Sequence, residues 1–119
     1  MIYNNIGLLF YKHKTAGNIK KAESLYKKAI SLDETITEAH NNLGNLYDYL
    51  DKIKDAIYCY KRAIDINPKF SYAHHNLGSA YVAIGKFSKA KKHFRESIKL
   101  KYDNTAPPDY DYDWDSKLV

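Results

Sequence analysis

Apolar residues recur at three- and four-residue spacing along most of the chain, which is typical of amphipathic helices. In the middle of the sequence two such runs are separated by the polar residues Asp51 and Lys52. Asn67-Pro68 ends the second run, because proline disfavours helical geometry in the residue before it. The pattern predicts two helices joined by a short turn. Their apolar faces carry Ala39, Leu43, Leu46, Tyr47 and Leu50, then Ile53, Ala56, Ile57, Tyr60, Ala63 and Ile64.

This helix pair recurs with a period of 34 residues. Alanine stands at 22, 56 and 90, an aromatic residue at 26, 60 and 94, and Leu-Gly at 43–44 and 77–78. The period predicts three repeats at about residues 1–34, 35–68 and 69–101, followed by a tail at 102–119. A single helix pair cannot bury its apolar face, so we expect the repeats to stack around one continuous core.

The first repeat departs from the spacing of the other two. Gly7 precedes Ala22 by 15 residues, whereas Gly44 precedes Ala56 by 12. We therefore expect three extra residues in the turn between its helices, with Gly17 in that turn. Gly85 is expected in the matching turn of the third repeat.

The motifs resemble those of the tetratricopeptide repeat (TPR) family. Its signature is met in the middle repeat by His40, Leu43-Gly44, Tyr47, Ala56, Tyr60 and Pro68. In the third repeat it is met by His74, Leu77-Gly78, Tyr81, Ala90 and Phe94, with Tyr102 in place of proline. The resemblance covers about residues 1–101. It implies an all-α, right-handed superhelix of three helix-turn-helix repeats, whose first helices line a concave groove.

Asparagine occupies the same groove position in every repeat, two residues before the motif glycine, as Asn5, Asn42 and Asn76. An asparagine amide both donates and accepts hydrogen bonds, so it can pair with a peptide unit of an extended chain. The arrangement is similar to the asparagine ladder of superhelical TPR arms such as that of O-GlcNAc transferase. Solvation or capping of helix surfaces is the alternative interpretation. Four further residues on this face are expected to set specificity: Asn45, Tyr49, Tyr72 and His75.

One branch of the family clamps the C-terminal carboxylate of chaperone tails with lysine, arginine and asparagine. The positions that would hold those cations are Asn4, Tyr72 and Asn76 in this sequence, and none of them is positively charged. The sequence therefore predicts a different ligand from a heat-shock chaperone tail.

Charge is divided between a basic body and an acidic tail within a net charge of +5. Most lysines and arginines fall on the predicted second helices, the outer face of the superhelix. No glycine-rich loop, recognition motif or stacking platform accompanies them, so a solvated face is favoured over nucleic-acid binding.

No pattern indicates catalysis, a cofactor or a metal site. His40 and His74 occupy the aromatic position of the signature and are expected to pack, and Cys59 has no paired base. A single cysteine excludes an internal disulfide, and no apolar run approaches the ~20 residues of a membrane span. We expect a non-enzymatic cytoplasmic protein.

The tail alternates aspartate with aromatic residues from Asp109 to Asp115, after Pro107-Pro108. An extended chain would place the aromatic side chains on one side and the aspartates on the other. The tail is either a solvating segment or a segment that docks on basic surface of the same or a neighbouring molecule. No polar capping helix follows Leu100, which favours self-association through the C-terminal end or the tail.

The sequence thus predicts a scaffold or adaptor that binds an extended peptide of a protein partner in its groove. The alternative is a structural protein that self-assembles through its uncapped C-terminal end or its acidic tail. Nucleic-acid association through the outer lysines is the weakest of the three.

Overall fold

The computed structural model describes residues 1–102, so the predictions made for the tail beyond Tyr102 lie outside the described residues. All regular structure in residues 1–102 is α-helical, which confirms the all-α prediction. The six helices are α1 (Ile2–Lys12), α2 (Ala16–Leu32), α3 (Thr37–Tyr49), α4 (Ile53–Ile66), α5 (Ser71–Ala83) and α6 (Phe87–Tyr102).

The helices form three consecutive pairs that stack into a short right-handed solenoid. Each first helix packs on its own second helix, and α2 and α4 also pack on the first helix of the following pair. In addition, α1 contacts α3 and α3 contacts α5. The three first helices therefore form one layer, which we call the first-helix layer, along a body of 45 × 28 × 21 Å.

The core lies between the repeats, at the positions that recur in the sequence. One cluster joins the first and second repeats through Ala22, Tyr26, Leu43, Leu46 and their neighbours. A second joins the second and third repeats through Tyr60, Leu77, Ala80, Tyr81 and theirs. Burial of these apolar side chains is the main stabilising contribution to a helix stack.

The expected longer turn in the first repeat is wrong. The turns within the three pairs all span three residues, 13–15, 50–52 and 84–86, and the extra residues lengthen α2 instead. Thr15 accepts a hydrogen bond from the Asn18 backbone N–H at 3.2 Å and so caps the helix before the insertion. Gly17 accordingly lies in the first turn of α2, not between helices. Gly85 does lie in its turn, at a φ of 77°.

The signature histidines are buried, as predicted, and each closes the loop before its own helix. Nε2 of His40 donates to the Glu34 carbonyl at 3.0 Å, and Nε2 of His74 donates to the Pro68 carbonyl at 2.8 Å. Glu34 occupies the position in the first loop that Pro68 occupies in the second. Both bonds are made to the backbone carbonyl, so they do not depend on which side chain is present. These contacts hold α3 and α5 in position for the first-helix layer.

Candidate peptide-binding groove

The predicted ligand-binding residues all lie on helices of the first-helix layer, with different degrees of exposure. Asn42, Asn45 and Asn76 are half-buried. The other four are exposed, and Tyr49 and Tyr72 keep 52% and 71% of their accessible surface: Asn5, Tyr49, Tyr72 and His75. The half-buried asparagines are therefore held by the fold, whereas the exposed residues remain open to solvent.

Two of the three ladder asparagines bridge adjacent helices of the layer. Nδ2 of Asn42 donates to Oδ1 of Asn4 at 3.0 Å, which joins α3 to α1. Nδ2 of Asn76 donates to Oδ1 of Asn41 at 3.0 Å, which joins α5 to α3. The two acceptors are buried, with 3% and 6% of their surface exposed. The same bridge thus recurs at successive repeat junctions.

The sequence pattern predicts Asn42 and Asn76 as site residues but does not reveal the two asparagines that accept their hydrogen bonds. Asn4 and Asn41 each precede a ladder asparagine directly, so doubled asparagines mark both junctions. In the third repeat the corresponding pair is His75-Asn76. Two consecutive asparagines are the sequence signal for a bridge. The first asparagine of each pair bonds to the following helix of the first-helix layer, Asn4 to α3 and Asn41 to α5.

The bridges leave hydrogen-bonding groups on Asn42 and Asn76. An asparagine amide has two N–H donors and a carbonyl oxygen with two lone pairs. Each bridge uses one N–H, so a second N–H and the carbonyl oxygen remain in a plane that the bridge fixes. A fixed amide loses little side-chain freedom when it binds a ligand.

Asn45 has a supporting role that its sequence position did not reveal. Its Oδ1 accepts a hydrogen bond from the hydroxyl of Tyr60 at 2.7 Å, and its backbone carbonyl accepts one from the hydroxyl of Tyr11 at 3.1 Å. Tyr60 is fully buried beneath the layer. Asn45 therefore connects the core to the surface, and its Nδ2 group is the part available to a ligand.

Four of the predicted residues line two separate clefts. The α1–α3 cleft is lined by Leu8, Tyr11, Lys12, Lys14, Asn45, Asp48 and Tyr49. The α5–α6 cleft is lined by Ser71, Tyr72, His75, Ser97, Ile98, Lys101 and Tyr102. The structure thus brings Asn45 and Tyr49 together, and Tyr72 and His75 together, but places the two pairs at different ends of the solenoid.

Charge in the α1–α3 cleft is mixed. Burial raises the pKa of the Tyr11 hydroxyl, and the carboxylate of Asp48 raises it further. Burial also raises the pKa of Asp48, with a contribution from the negative charge of Asp51. Partial desolvation strengthens any ion pair or cation–π contact formed here.

Within residues 1–102 no three or more histidine, cysteine, aspartate or glutamate side chains form a group that could hold a metal ion. None of the helices in this part of the chain is long and apolar enough to cross a membrane. Cys59 is buried, and burial raises the pKa of its thiol to about 12. A thiol with that pKa carries no thiolate at neutral pH, which suits a packing role.

Sequence comparison agrees with the helix pairs. Three sequence models described as tetratricopeptide repeat match residues 2–36, 37–70 and 59–92, and together they cover most of the chain. The chain belongs to the tetratricopeptide repeat family. No curated protein sequence matches it.

Solved structures of other proteins share this fold. Two crystal structures of MamA are 25% and 27% identical to the chain, with TM-scores of 0.79 and 0.75 and coverage of 87% and 89% of this chain. The TPR chain corresponds to 58% and 59% of those MamA chains, so it is similar to little more than half of their length.

Two further structures are TPR domains of Spaghetti (RPAP3), each bound to the HSP90 peptide SRMEEVD. The first domain is 21% identical, with a TM-score of 0.81 over 98% of this chain and 85% of that one. The second is 24% identical, with a TM-score of 0.77 over 82% of this chain and 88% of that one. At these identities the likeness concerns the fold.

Proposed function

We propose that this TPR protein is a protein-interaction module that holds an extended peptide against its first-helix layer, as a scaffold or adaptor. The observation that carries the proposal is the repeated asparagine bridge across α1, α3 and α5. It supports peptide binding because it presents oriented amide groups at a repeating interval along one surface. Amides at repeat intervals suit a ligand whose own hydrogen-bonding groups repeat, which is a polypeptide backbone.

Contacts to the backbone explain how such a surface accepts several partner sequences. Hydrogen bonds to peptide groups are independent of side-chain identity, so the ladder supplies affinity and the exposed residues beside it supply selectivity. Asn5 extends the ladder at α1, where it is exposed. Tyr49, Tyr72 and His75 then contact ligand side chains at the two clefts.

The HSP90 peptide bound by the RPAP3 domains is an unsuitable ligand for this chain. Two of the positions expected to carry the clamping cations are Asn4 and Tyr72, both uncharged, and Asn4 is buried beneath its bond from Asn42. A carboxylate placed there would meet neither a positive charge nor an accessible donor from Asn4. We expect SRMEEVD to bind at least about tenfold more weakly than a peptide selected on this protein, since a charge-assisted hydrogen bond contributes more than 1.4 kcal/mol.

Selection from a displayed random-peptide library tests the proposal. Wild type is compared with a variant that carries Asn5→Ala, Asn42→Ala and Asn76→Ala. The matched control carries Asn4→Ala and Asn41→Ala, which breaks the same two bridges but leaves the ladder amides. Folding of each variant is checked by circular dichroism.

The proposal requires that wild type enriches peptides and that the ladder variant does not. The control variant should lose less binding than the ladder variant, because it loses the bonds that orient the ladder amides but keeps the amides, and its substituted side chains are buried and do not reach a ligand. Equal loss in both variants would mean that the asparagines only hold the helices together. No enrichment by folded wild type would reject the peptide-binding function.

Self-association is the second candidate function, and the ends of the solenoid favour it. On α1 an apolar stripe is exposed: Ile2 at 70%, Ile6 at 40% and Leu9 at 60%. The corresponding residues of α3 are buried under α2: Ala39, Leu43 and Leu46. At the other end Tyr72 and Tyr102 are exposed at 71% and 51%. Head-to-tail stacking would cover both ends. It would also bring Asn5 of one copy beside His75 of the copy on which it stacks, and these positions correspond to those of Asn42 and Asn4 in the first bridge.

A further inference from the structure

The side chains of the α1–α3 cleft do not follow the repeat. Tyr11 corresponds to Asp48 in the second repeat and to Val82 in the third, and Tyr49 corresponds to Ala83. Framework residues such as the motif glycines and alanines recur in every repeat, whereas this pair of rings occurs once. Tyr11 also packs against the core and donates to the Asn45 carbonyl, whereas Tyr49 is exposed, so its position beside Tyr11 calls for another explanation.

The two rings already hold a cation. The ring centroids of Tyr11 and Tyr49 are 6.2 Å apart with an interplanar angle of 70°, which forms an open corner. Nζ of Lys14 lies 4.5 Å from the centroid of Tyr11 and 5.5 Å from that of Tyr49. Both distances lie within the range of a cation–π contact. The exposed side chain of Lys14, which comes from the turn between α1 and α2, takes this position instead of extending into water.

The backbone and a carboxylate also favour positive charge at this position. α1 ends at Lys12 and α3 ends at Tyr49, so the carbonyl ends of two helices meet at the cleft. The C-terminal end of a helix carries a partial negative charge that attracts cations. Asp48 lines the same cleft and adds a full negative charge. Rings, helix ends and carboxylate together make a site whose chemistry matches an ammonium or guanidinium group.

We propose that the corner formed by Tyr11, Tyr49 and Asp48 is a subsite for a lysine or arginine side chain of the bound peptide, and that Lys14 is an internal occupant displaced by the ligand. We call it the cation subsite. It rests on the proposed peptide-binding function, since it assigns a side-chain preference to that groove. Arginine is preferred over lysine, because its planar guanidinium is less strongly hydrated and stacks on aromatic rings.

Lys12 and Lys14 in the same cleft raise the opposite possibility, an anion held by the two lysines. The two accounts predict opposite effects of Lys14→Gln. If Lys14 is a competitor, its removal opens the rings and strengthens binding of cations. If Lys14 is a ligand-binding group, its removal weakens binding of anions.

Small probes without a peptide unit separate this subsite from the asparagine ladder. Butylguanidinium, butylammonium and valerate are titrated at matched ionic strength into 15N-labelled full-length protein, and chemical shifts at Tyr11, Asp48 and Tyr49 are followed. The variants are Lys14→Gln, Tyr49→Ala and, as the matched charge control, Lys12→Gln. Wild type and variants are compared at one pH and temperature.

We expect butylguanidinium to bind wild type weakly and Lys14→Gln about two- to fivefold more tightly, which is the size of an exposed cation–π contact. Lys12→Gln should change the affinity less, and Tyr49→Ala should lower it. Tighter binding of valerate than of butylguanidinium, or weaker cation binding in Lys14→Gln, would overturn the proposal. Absence of shifts at these residues with every probe would overturn it as well.

The peptide experiment then tells the two failures apart. If the selected peptides lose binding in the ladder variant but show no enrichment of arginine or lysine, the groove works and the cation subsite is wrong. If butylguanidinium binds at the rings while no peptide is selected, the subsite exists and the peptide-binding function is wrong.

Discussion

Tyr26 and Tyr60 occupy the same position in successive repeats and are both fully buried, yet their hydroxyl groups differ. The hydroxyl of Tyr60 donates to Oδ1 of Asn45 at 2.7 Å. The buried hydroxyl of Tyr26 has no hydrogen-bond partner among residues 1–102. An unpaired buried hydroxyl costs free energy, whereas a paired one contributes to stability.

Replacement of each tyrosine by phenylalanine should therefore have opposite effects. We expect Tyr60→Phe to lower the free energy of unfolding by about 1 kcal/mol, and Tyr26→Phe to leave it unchanged or raise it by up to about 1 kcal/mol. Urea denaturation of the two variants beside wild type measures the difference. Equal destabilisation by both would show that the Tyr26 hydroxyl has a partner after all.

Gly44 is required by the close approach of α3 to α4. A Cβ atom at this position would lie 2.5 Å from Cε1 of Tyr60, whose ring is fixed at its other end by Asn45. We expect Gly44→Ala to cost about 1–3 kcal/mol of unfolding free energy through overpacking. Gly17→Ala is the control, because apart from its chain neighbours and the backbone of its own helix nothing lies within 4 Å of the new methyl group. In the helix α2 it should stabilise by about 0.5–1 kcal/mol, and chemical denaturation compares the pair.

The imidazole rings of His74 and His93 stack and form a hydrogen-bonded pair. Nε2 of His74 donates to the Pro68 carbonyl, so its Nδ1 accepts the Nδ1–H of His93 at 3.2 Å. The ring of His93 also stacks on Tyr81. Burial lowers the pKa of His93 to about 4, and electrostatic repulsion from His74, Lys92 and Lys61 on the protonated form adds to the effect.

Acid should therefore destabilise the protein through His93. His93 binds a proton near pH 6.5 in the unfolded chain but only near pH 4 in the folded chain. Its contribution to the free energy of unfolding is therefore fully present above pH 6.5 and is lost as the pH falls toward 4. His93→Asn keeps an N–H donor but does not titrate. Between pH 7 and 4.5 we expect wild type to lose roughly 1–2 kcal/mol more than the variant, allowing for solvent screening. Parallel pH profiles from urea denaturation would contradict this assignment.

For single residues, the sequence predicts which positions are buried better than it predicts their hydrogen-bond partners. The 34-residue period predicted the core residues, because they recur, and the distance to the motif glycine picked out Asn42 and Asn76. It did not distinguish the roles of adjacent asparagines such as Asn41 and Asn42. A step of one residue turns a side chain by about 100° around a helix, so Asn41 bonds to α5 on one side of α3 and Asn42 bonds to α1 on the other.

At the scale of the element, the length of α2 shows where a local signal outweighs the repeat pattern. The 15-residue distance from Gly7 to Ala22 predicts a longer turn in the first repeat, with Gly17 in it. Thr15 instead caps a helix that begins at Ala16, and the backbone N–H of Ile19 bonds to the carbonyl of Thr15 at 2.9 Å. A threonine cap followed by helical hydrogen bonds stabilises more than one glycine in a helix costs.

The exposed stripe of α1 belongs to the same scale, and it permits a test of self-association. Leu9→Lys places a charge in the middle of the stripe, where the corresponding leucine of α3 is fully buried. Leu32→Lys is the control, because Leu32 on α2 is exposed to a similar extent, 63% against 60%. We expect sedimentation equilibrium to show concentration-dependent mass for wild type and Leu32→Lys, and a monomer for Leu9→Lys. A monomer in all three would exclude assembly through α1.

At the scale of the whole molecule, the fold follows from local packing, whereas the ligand-binding chemistry does not. Each repeat contacts its neighbours, so a sequence period is sufficient to predict the stack. The cation subsite arises where the ends of α1 and α3 and the turn before α2 meet. Its residues occur once, and no periodic signal distinguishes them from ordinary surface residues.

Binding of a peptide backbone by the ladder asparagines can be measured directly. Titration calorimetry would measure the affinity of a library-selected peptide and of a series of its variants. In each variant one backbone N–H group is methylated. We predict that methylation at the positions opposite Asn42 and Asn76 lowers affinity about fivefold to tenfold, the worth of one hydrogen bond, in wild type but not in the Asn42→Ala, Asn76→Ala variant. If methylation is tolerated along the whole peptide, or if both proteins lose affinity equally, the peptide is not held by the asparagine ladder.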